Sequence, residues 1–143
     1  MSMTLQDIST SMAQECAACP HVIAGYVFGS WAKGTARENS DVDVAILIAY
    51  GTEHAFDYLE FKVQLERRLN RDVDLVLLNQ AGEIIKYLIR RDGVRVFERD
   101  PRKRKDWEIR SRKMYQDYLH LHQIYMQGMR RRFGVQDGEY RDL

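Results

Sequence analysis

Residues 25–47 read GYVFGSWAKGTARENSDVDVAIL, and this segment decides the fold that we predict for the whole chain. The apolar run that ends before Gly29 and the run that begins after Asp43 both have the length and residue types of buried strands. Between them, the pair Gly29 and Ser30 interrupts the first run, and a polar linker containing Gly34 leads to the second. The segment therefore predicts two strands joined by a polar connection that begins with a Gly-Ser turn.

Two acidic side chains stand at the entrance of the second predicted strand, which extends from Asp41 to Ala49. Because side chains alternate along a strand, Asp41 and Asp43 point to the same face. Two carboxylates this close repel each other, and burying them without a partner is costly. Such a pair of hard oxygen ligands is typical of a Mg²⁺ site that also binds substrate phosphates.

Ten residues separate Ser30 from Asp41, which gives the spacing GS-x10-D-x-D. This spacing resembles the signature of the polymerase-β-like nucleotidyltransferases. Within that superfamily, the string GSWAKGTARENSDVDVAIL is most similar to the minimal MNT branch, the antitoxin half of HEPN–MNT toxin–antitoxin pairs. The resemblance extends over roughly the first 100 residues and implies a minimal nucleotidyltransferase fold.

The rest of the chain alternates between strand and helix patterns, which predicts an α/β fold with a small mixed β-sheet flanked by helices. The predicted strands cover residues 22–28, 41–49, 72–78 and 94–98, and the predicted helices cover residues 4–18, 31–35, 54–70, 81–91 and 101–132. The resemblance implies that the third strand lies beside the second. We expect a nucleotidyltransferase domain over residues 1–100 and a C-terminal helical extension with a loose tail over residues 101–143.

The third predicted strand offers two further acids, Asp72 and Asp74, which share one face. Alternation therefore leaves either of them able to join the first pair. In the family the third acid lies in a V-D-L-V context, which matches residues 73–76 and favours Asp74.

The resemblance also implies a role for each residue of the motif. It implies that the catalytic residues, which also bind two Mg²⁺ ions, are Asp41, Asp43 and Asp74. It implies that ATP is held through its phosphates by Gly29 and Ser30, with Lys33 and Arg37 as further candidate phosphate ligands.

Three functions are compatible with these residues. The resemblance implies an antitoxin that transfers AMP from ATP to a tyrosine of a HEPN ribonuclease toxin, with which it forms a hetero-oligomer. In that case the C-terminal helix, with Trp107, Tyr115, Tyr118 and Tyr125, is the expected toxin-binding face. The alternatives are a nucleotidyltransferase that modifies a small molecule such as an aminoglycoside, and a steric antitoxin without catalysis. We do not expect a polymerase, since one helix and a tail after residue 100 leave no room for a template-gripping domain.

Composition and charge bear on the binding partners of the protein, on its location in the cell and on the role of its cysteines. Residues 101–143 carry 11 Lys and Arg against 6 Asp and Glu, but charge is the only support for direct nucleic-acid binding, which we do not expect. No apolar run approaches the roughly 20 residues that span a membrane, and the first residues lack a secretory signal pattern, so we expect a cytoplasmic protein. Cys16 and Cys19 form a CAAC motif, and Cys16 continues an apolar helical stripe, which favours packing over redox chemistry.

Overall fold

A computed structural model describes residues 2–134 of the chain. Five helices and four strands make up this part. The helices are α1 (Leu5–Ala18), α2 (Gly29–Lys33), α3 (Tyr58–Leu69), α4 (Glu83–Asp92) and α5 (Pro101–Phe133). The strands are β1 (Val22–Phe28), β2 (Val42–Ile48), β3 (Val73–Leu77) and β4 (Val94–Glu98), and a 3₁₀ turn covers Leu78–Gln80. The predicted tail over residues 135–143 lies outside the described residues.

The four strands form one mixed sheet in the order β3-β2-β1-β4. Strand β2 runs parallel to β3 and antiparallel to β1, and β4 runs antiparallel to β1. This arrangement confirms the predicted α/β fold and the predicted position of the third strand beside the second. Its register places Phe28, Asp43 and Asp74 next to one another across three strands.

Helices cover both faces of the sheet, which gives three layers. Apolar side chains of α1 and α3 pack on one face and form the larger core cluster, which includes Ile8, Met12, Cys16, Phe61, Leu65 and Leu69. Helix α4 and the first turns of α5 pack on the other face and form a second, smaller core cluster. Ile89 is buried in this second cluster, and Trp107 packs against it. The two central strands, β1 and β2, are almost entirely apolar because both of their faces are buried.

Three helix starts differ from the prediction by two residues or more, and one of them is that of α4, which begins at Glu83 and not at residue 81. Helix α2 begins at Gly29 and not at residue 31, so Ser30 lies inside the first turn of a helix. Helix α3 begins at Tyr58 and not at residue 54, because Asp57 caps it by accepting a hydrogen bond from the Glu60 amide at 3.0 Å. The chain before Asp57 forms a separate turn, in which the Phe56 amide donates to the Thr52 carbonyl at 3.0 Å.

Helix α1 is fixed at both ends by polar contacts. At its start, Thr4 and Asp7 form a reciprocal capping box with hydrogen bonds of 2.9 and 3.1 Å. At its end, the guanidinium of Arg99 donates to the carbonyls of Cys16, Ala17 and Cys19 at 3.0 to 3.2 Å. A cation beside the last carbonyls of a helix satisfies groups that have no partner within the helix.

We expect Arg99→Met to lower the free energy of unfolding by about 1–3 kcal/mol, because charge-assisted hydrogen bonds at the end of α1 are lost. Urea denaturation measures the change. Arg102→Met, which makes the same substitution at an exposed position near the start of α5, is the control and should leave stability nearly unchanged. Equal stability of the two variants would contradict the capping role.

The CAAC motif serves packing. Cys16 is fully buried in the larger cluster, and both cysteines are free thiols. Burial raises the pKa of Cys16 to about 12, so very little reactive thiolate is present near neutral pH.

Helix α5 contains 33 residues and is therefore roughly 50 Å long. Its first turns are attached to the domain, since Arg104 forms ion pairs with Glu98 at 2.6 Å and with Glu108 at 2.9 Å. Its later turns expose several large apolar side chains, namely Leu119, Leu121, Ile124, Tyr125 and Phe133. Among the helices described, none is long and apolar enough to cross a membrane.

Candidate active site

The predicted acidic residues meet at one edge of the sheet. Asp43 is the second residue of β2, and its neighbours across the strands are Phe28 at the end of β1 and Asp74 near the start of β3. Asp74 is exposed between two buried residues of β3. Asp41 is exposed and lies one residue before β2 begins, so it is not part of the strand as predicted.

Gly29 lies directly against the carboxylate of Asp43. A Cβ atom added at Gly29 would be 2.1 Å from Oδ2 and 3.0 Å from Cγ of Asp43. Gly29 also has a φ of +70°, which favours glycine. Both observations require glycine at this position. The first turn of α2, which contains Ser30, therefore starts at the carboxylates.

The carboxylates perturb one another. The pKa of Asp43 is raised from 3.8 to about 6, first by burial, then by the charge of Asp74 and a hydrogen bond with it, and finally by the charge of Asp41. Asp72 is not among the groups that shift this pKa, although its main-chain carbonyl accepts a hydrogen bond from the Val42 amide at 2.9 Å. Of the two candidate third acids, the structure thus brings Asp74 into contact with Asp43.

Asp43 gives the metal-free protein a pH-dependent stability. Its folded pKa of about 6 lies above its ordinary value of 3.8, so the unfolded chain releases this proton first as the pH rises. The stability contributed by the protonated carboxyl is therefore complete below about pH 4 and is lost as the pH rises through about 6. We expect Asp43→Asn to raise the free energy of unfolding by about 1 kcal/mol at about pH 8, a figure reduced for the partial exposure of the side chain.

Urea denaturation in the presence of a chelator measures this effect. The stabilisation by Asp43→Asn should disappear at about pH 3, where the carboxyl is protonated in the folded state and largely so in the unfolded chain. Asp72→Asn removes an exposed carboxylate from the entrance of the neighbouring strand and is the matched control, which should not raise the free energy of unfolding at about pH 8. A stabilisation by Asp43→Asn that is the same at both pH values would contradict the assignment.

The polar connection from α2 to β2 is held by three hydrogen bonds. The indole of Trp31 donates to the Ser40 carbonyl at 3.3 Å, the Arg37 amide donates to the Ser40 hydroxyl at 2.8 Å, and the guanidinium of Arg71 donates to the Glu38 carbonyl at 2.6 Å. Trp31 also packs against the larger core cluster. These contacts fix the segment that leads directly into Asp41.

The two predicted phosphate ligands with positive charge lie at the surface near this edge. Lys33 is exposed in the last turn of α2 and Arg37 is exposed in the connection that follows. Neither cation contributes to the pKa shift of Asp43. The structure therefore brings Gly29, Asp43 and Asp74 into contact and leaves Lys33 and Arg37 at the rim.

The donor set fits a divalent cation. Within residues 2–134, no three or more His, Cys, Asp or Glu side chains are already gathered as a metal-binding group. Asp43 and Asp74 nevertheless form a repelling carboxylate pair, and a divalent cation would relieve this repulsion. Carboxylate oxygens are the ligands that Mg²⁺ prefers.

Two features near the site were not found from the sequence. Arg71 holds the connection beside Asp41, and the end of α4 lies close to α2, because Lys33 influences the titration of Asp92. The only sequence signal for the second feature is the charged run Arg90, Arg91 and Asp92, which also fits an ordinary helix end.

Comparisons with known proteins agree with this geometry. Residues 11–102 match the family model described as polymerase beta, nucleotidyltransferase. Protein adenylyltransferase MntA of Shewanella oneidensis is 38% identical over 60 residues, which is 42% of this chain and 42% of that protein. The matched segment thus spans less than half the length of this relative.

Two solved structures share the fold. A chain of a toxin–antitoxin complex with AMP-PNP superposes with a TM-score of 0.71 at 24% identity, covering 85% of this chain and 97% of that one. A chain of the complex between the tri-AMPylated HEPN toxin of Shewanella oneidensis and its MNT antitoxin gives a TM-score of 0.67 at 21% identity, covering 87% and 97%. At this level of identity the likeness establishes the fold alone.

Proposed function

Because the chain belongs to the polymerase-β nucleotidyltransferase family, we propose that it is an antitoxin that transfers AMP from ATP to a tyrosine of a HEPN-type ribonuclease toxin. One observation carries the proposal: the contact between Asp43 and Asp74 directly beside Gly29. The name of the MntA relative and the AMPylated state of the Shewanella toxin supply the chemistry and the class of partner. Transfer of more than one AMP is part of the proposal, since that toxin is tri-AMPylated.

The carboxylates have distinct places in the proposed reaction. Asp41, Asp43 and Asp74 would hold the metal, and two Mg²⁺ ions, when bound, would activate the attacking hydroxyl and stabilise the leaving pyrophosphate. Asp43, the most enclosed of the three, lies against Gly29 and adjoins the start of α2. Asp74 is exposed on the open side, where it can orient the tyrosine hydroxyl and accept its proton.

The first turn of α2 is the proposed phosphate site. Gly29 has no side chain, so its backbone lets the triphosphate approach the carboxylates closely. Ser30 follows in the same turn and donates its hydroxyl to a phosphate oxygen. Lys33 and Arg37, which are exposed nearby, neutralise the outer phosphates and the pyrophosphate as it leaves.

The edge of the sheet that carries Asp41, Asp43 and Asp74 is called the carboxylate edge below. The proposed acceptor is a protein because this edge is open. Asp41 and Asp74 are exposed, and within the described residues no second domain encloses a small acceptor, as small-molecule sites usually require. The surface of the toxin would then complete the cleft. We place its docking surface on the later turns of α5, whose exposed apolar residues include Leu121 and Tyr125. Trp107 and Tyr115 of the same helix contact the domain itself instead.

The test uses ATP labelled at the α-phosphate, Mg²⁺ and the protein encoded beside this chain, with γ-labelled ATP as a control. AMP transfer predicts label on that protein from the α-phosphate and none from the γ-phosphate. Loss of labelling in Asp41→Asn attributes the transfer to this site. Label on an added aminoglycoside with none on protein would favour the small-molecule alternative and contradict the proposal.

A further inference from the structure

A groove between α4 and α5 carries several cations and aromatic rings. It has a volume of about 430 Å³, and its charged and aromatic lining consists of Tyr87, Arg90, Arg91, Arg112 and Tyr115. We call it the arginine groove. None of its residues belongs to the motif that defines the family.

The aromatic part of the arginine groove is closely stacked. The rings of Tyr87 and Tyr115 are parallel within 3° and their centroids are 4.4 Å apart. The guanidinium of Arg91 lies 5.3 Å from the Tyr87 ring, and that of Arg90 lies 5.8 Å from the Tyr115 ring. The two rings occupy each other's faces, so the groove presents guanidinium groups beside an aromatic wall. Positively charged grooves with aromatic side chains are typical of sites that follow the phosphates of single-stranded nucleotides.

The positive charge in the groove is not fully balanced within the described part of the chain. The Nη1 atom of Arg90 is buried without a hydrogen-bond partner. Burial and the neighbouring charge of Arg112 both lower the pKa of Arg90. A buried donor without an acceptor, next to a second cation, is costly unless an anion completes the site.

Two acids attract Arg90, namely Glu83 and Glu108. Each of them also has another partner, although the Oε2 atom of Glu83 is buried without a hydrogen-bond partner. Glu83 pairs with Lys86 at 2.8 Å, and Glu108 pairs with Arg104 at 2.9 Å. Asp92 pairs with Arg91 at 2.7 Å. Arg112 has no ion pair within residues 2–134, and the Nη1 atom of Arg90 has no hydrogen-bond partner there, so these two guanidinium groups are the ones that can still bind an anion.

The arginine groove lies beside the carboxylate edge. Helix α4 ends at Asp92, whose pKa is lowered by its hydrogen bonds with Arg91 and also by the charge of Lys33 on α2. Strand β4 then begins at Val94, which pairs with Val27, two residues before Gly29. A chain of nucleotides that starts at the carboxylates can therefore reach the groove along the end of α4.

We propose that the arginine groove binds the adenylate already attached to the acceptor tyrosine and so supports the addition of further AMP units. This inference rests on the proposed function. In each later step, a ribose hydroxyl oxygen of the bound adenylate attacks the α-phosphorus of ATP. The bond from that phosphorus to the pyrophosphate breaks, pyrophosphate leaves, and the hydroxyl proton passes to a carboxylate of the site and then to water. The incoming ATP does not need these arginines, since its phosphates lie at α2.

Binding of a triadenylate tests the groove without the toxin. The probe is a fluorescein-labelled triadenylate, and its anisotropy is measured with wild type and with Arg90→Gln and Arg112→Gln. Each substitution should weaken binding about tenfold or more, as expected for the loss of charge-assisted hydrogen bonds. Arg102→Gln, an equal change of charge at an exposed position of α5, is the matched control. Unchanged binding in the groove variants, or equally strong competition by inorganic triphosphate, would overturn the inference.

The number of AMP units on the toxin gives a second test. Intact mass measured over time should show that Arg112→Gln adds the first AMP at the wild-type rate and later units at least about tenfold more slowly. An equal slowing of all steps, or normal later steps, would overturn the role of the groove. If the wild-type protein adds no AMP to the toxin at all, the proposed function itself is wrong. This result differs from one in which only the role of the arginine groove is wrong.

Discussion

Asp43→Asn is expected to abolish AMP transfer, with a loss of at least about a thousandfold, while the protein remains folded. The carboxylate lies between Gly29 and Asp74 at the strand edge, where it would be a ligand of the metal. Stabilisation of transition-state charge by bound metal contributes several kcal/mol, and each 1.36 kcal/mol corresponds to a factor of about ten in rate. Initial rates with α-labelled ATP measure the loss.

Asp72→Asn is the control for this prediction. It makes the same chemical change on an exposed residue just before β3, and we expect nearly wild-type rates. The control also tests whether Asp72, which the sequence left open as the third acid, takes part in the reaction. A result in which Asp72→Asn is inactive and Asp43→Asn is active would contradict the site as we describe it.

Gly29→Ala is expected to lower the rate at least about a hundredfold, because the new methyl group and the Asp43 carboxylate cannot both keep their positions. The Cβ atom would lie 2.1 Å from Oδ2 of Asp43, where one of the two must move. A displacement of a reacting group by about 1 Å can reduce a rate by about that factor. Steady-state kinetics with ATP measure the change in kcat and KM.

Gly34→Ala is the control that distinguishes the contact with Asp43 from the backbone strain of alanine at positive φ. Gly34 has a φ of +77°, close to that of Gly29, but a Cβ atom there would meet nothing within 4 Å. Gly34→Ala should destabilise the protein by about 1 kcal/mol, since alanine is strained at positive φ. Gly29→Ala should destabilise it more, because the contact with Asp43 adds to this strain. Only Gly29→Ala should reduce catalysis, and equal losses of activity in both variants would contradict the proposed contact.

The sequence predicted the carboxylate edge well because the information there is local. The two strands on either side of Gly29 and Ser30 have clear apolar runs, and the spacing to Asp41 lies within one segment. The choice between Asp72 and Asp74 needed the register of β2 and β3, which alternation alone does not provide. Family resemblance supplied the choice, and the contact of Asp74 with Asp43 agrees with it.

The start of α3 and the arginine groove could not be predicted from local sequence patterns. The start of α3 was placed too early, because the cap at Asp57 and the turn at Thr52 are polar details inside a segment that also fits a helix. The arginine groove depends on the stacking of Tyr87 on Tyr115, two residues far apart in the sequence. Periodicity describes each helix alone and does not show which faces meet.

The most direct test of the central claim is the intact mass of the toxin encoded beside this chain, purified from cells that express wild type or Asp43→Asn. AMP transfer predicts a mass increase by whole AMP units on a tyrosine with wild type, no increase with Asp43→Asn, and toxicity only in the second case. If the toxin is unmodified in both cases and the cells still grow, the chain neutralises it by binding alone, and the proposal of AMP transfer is wrong.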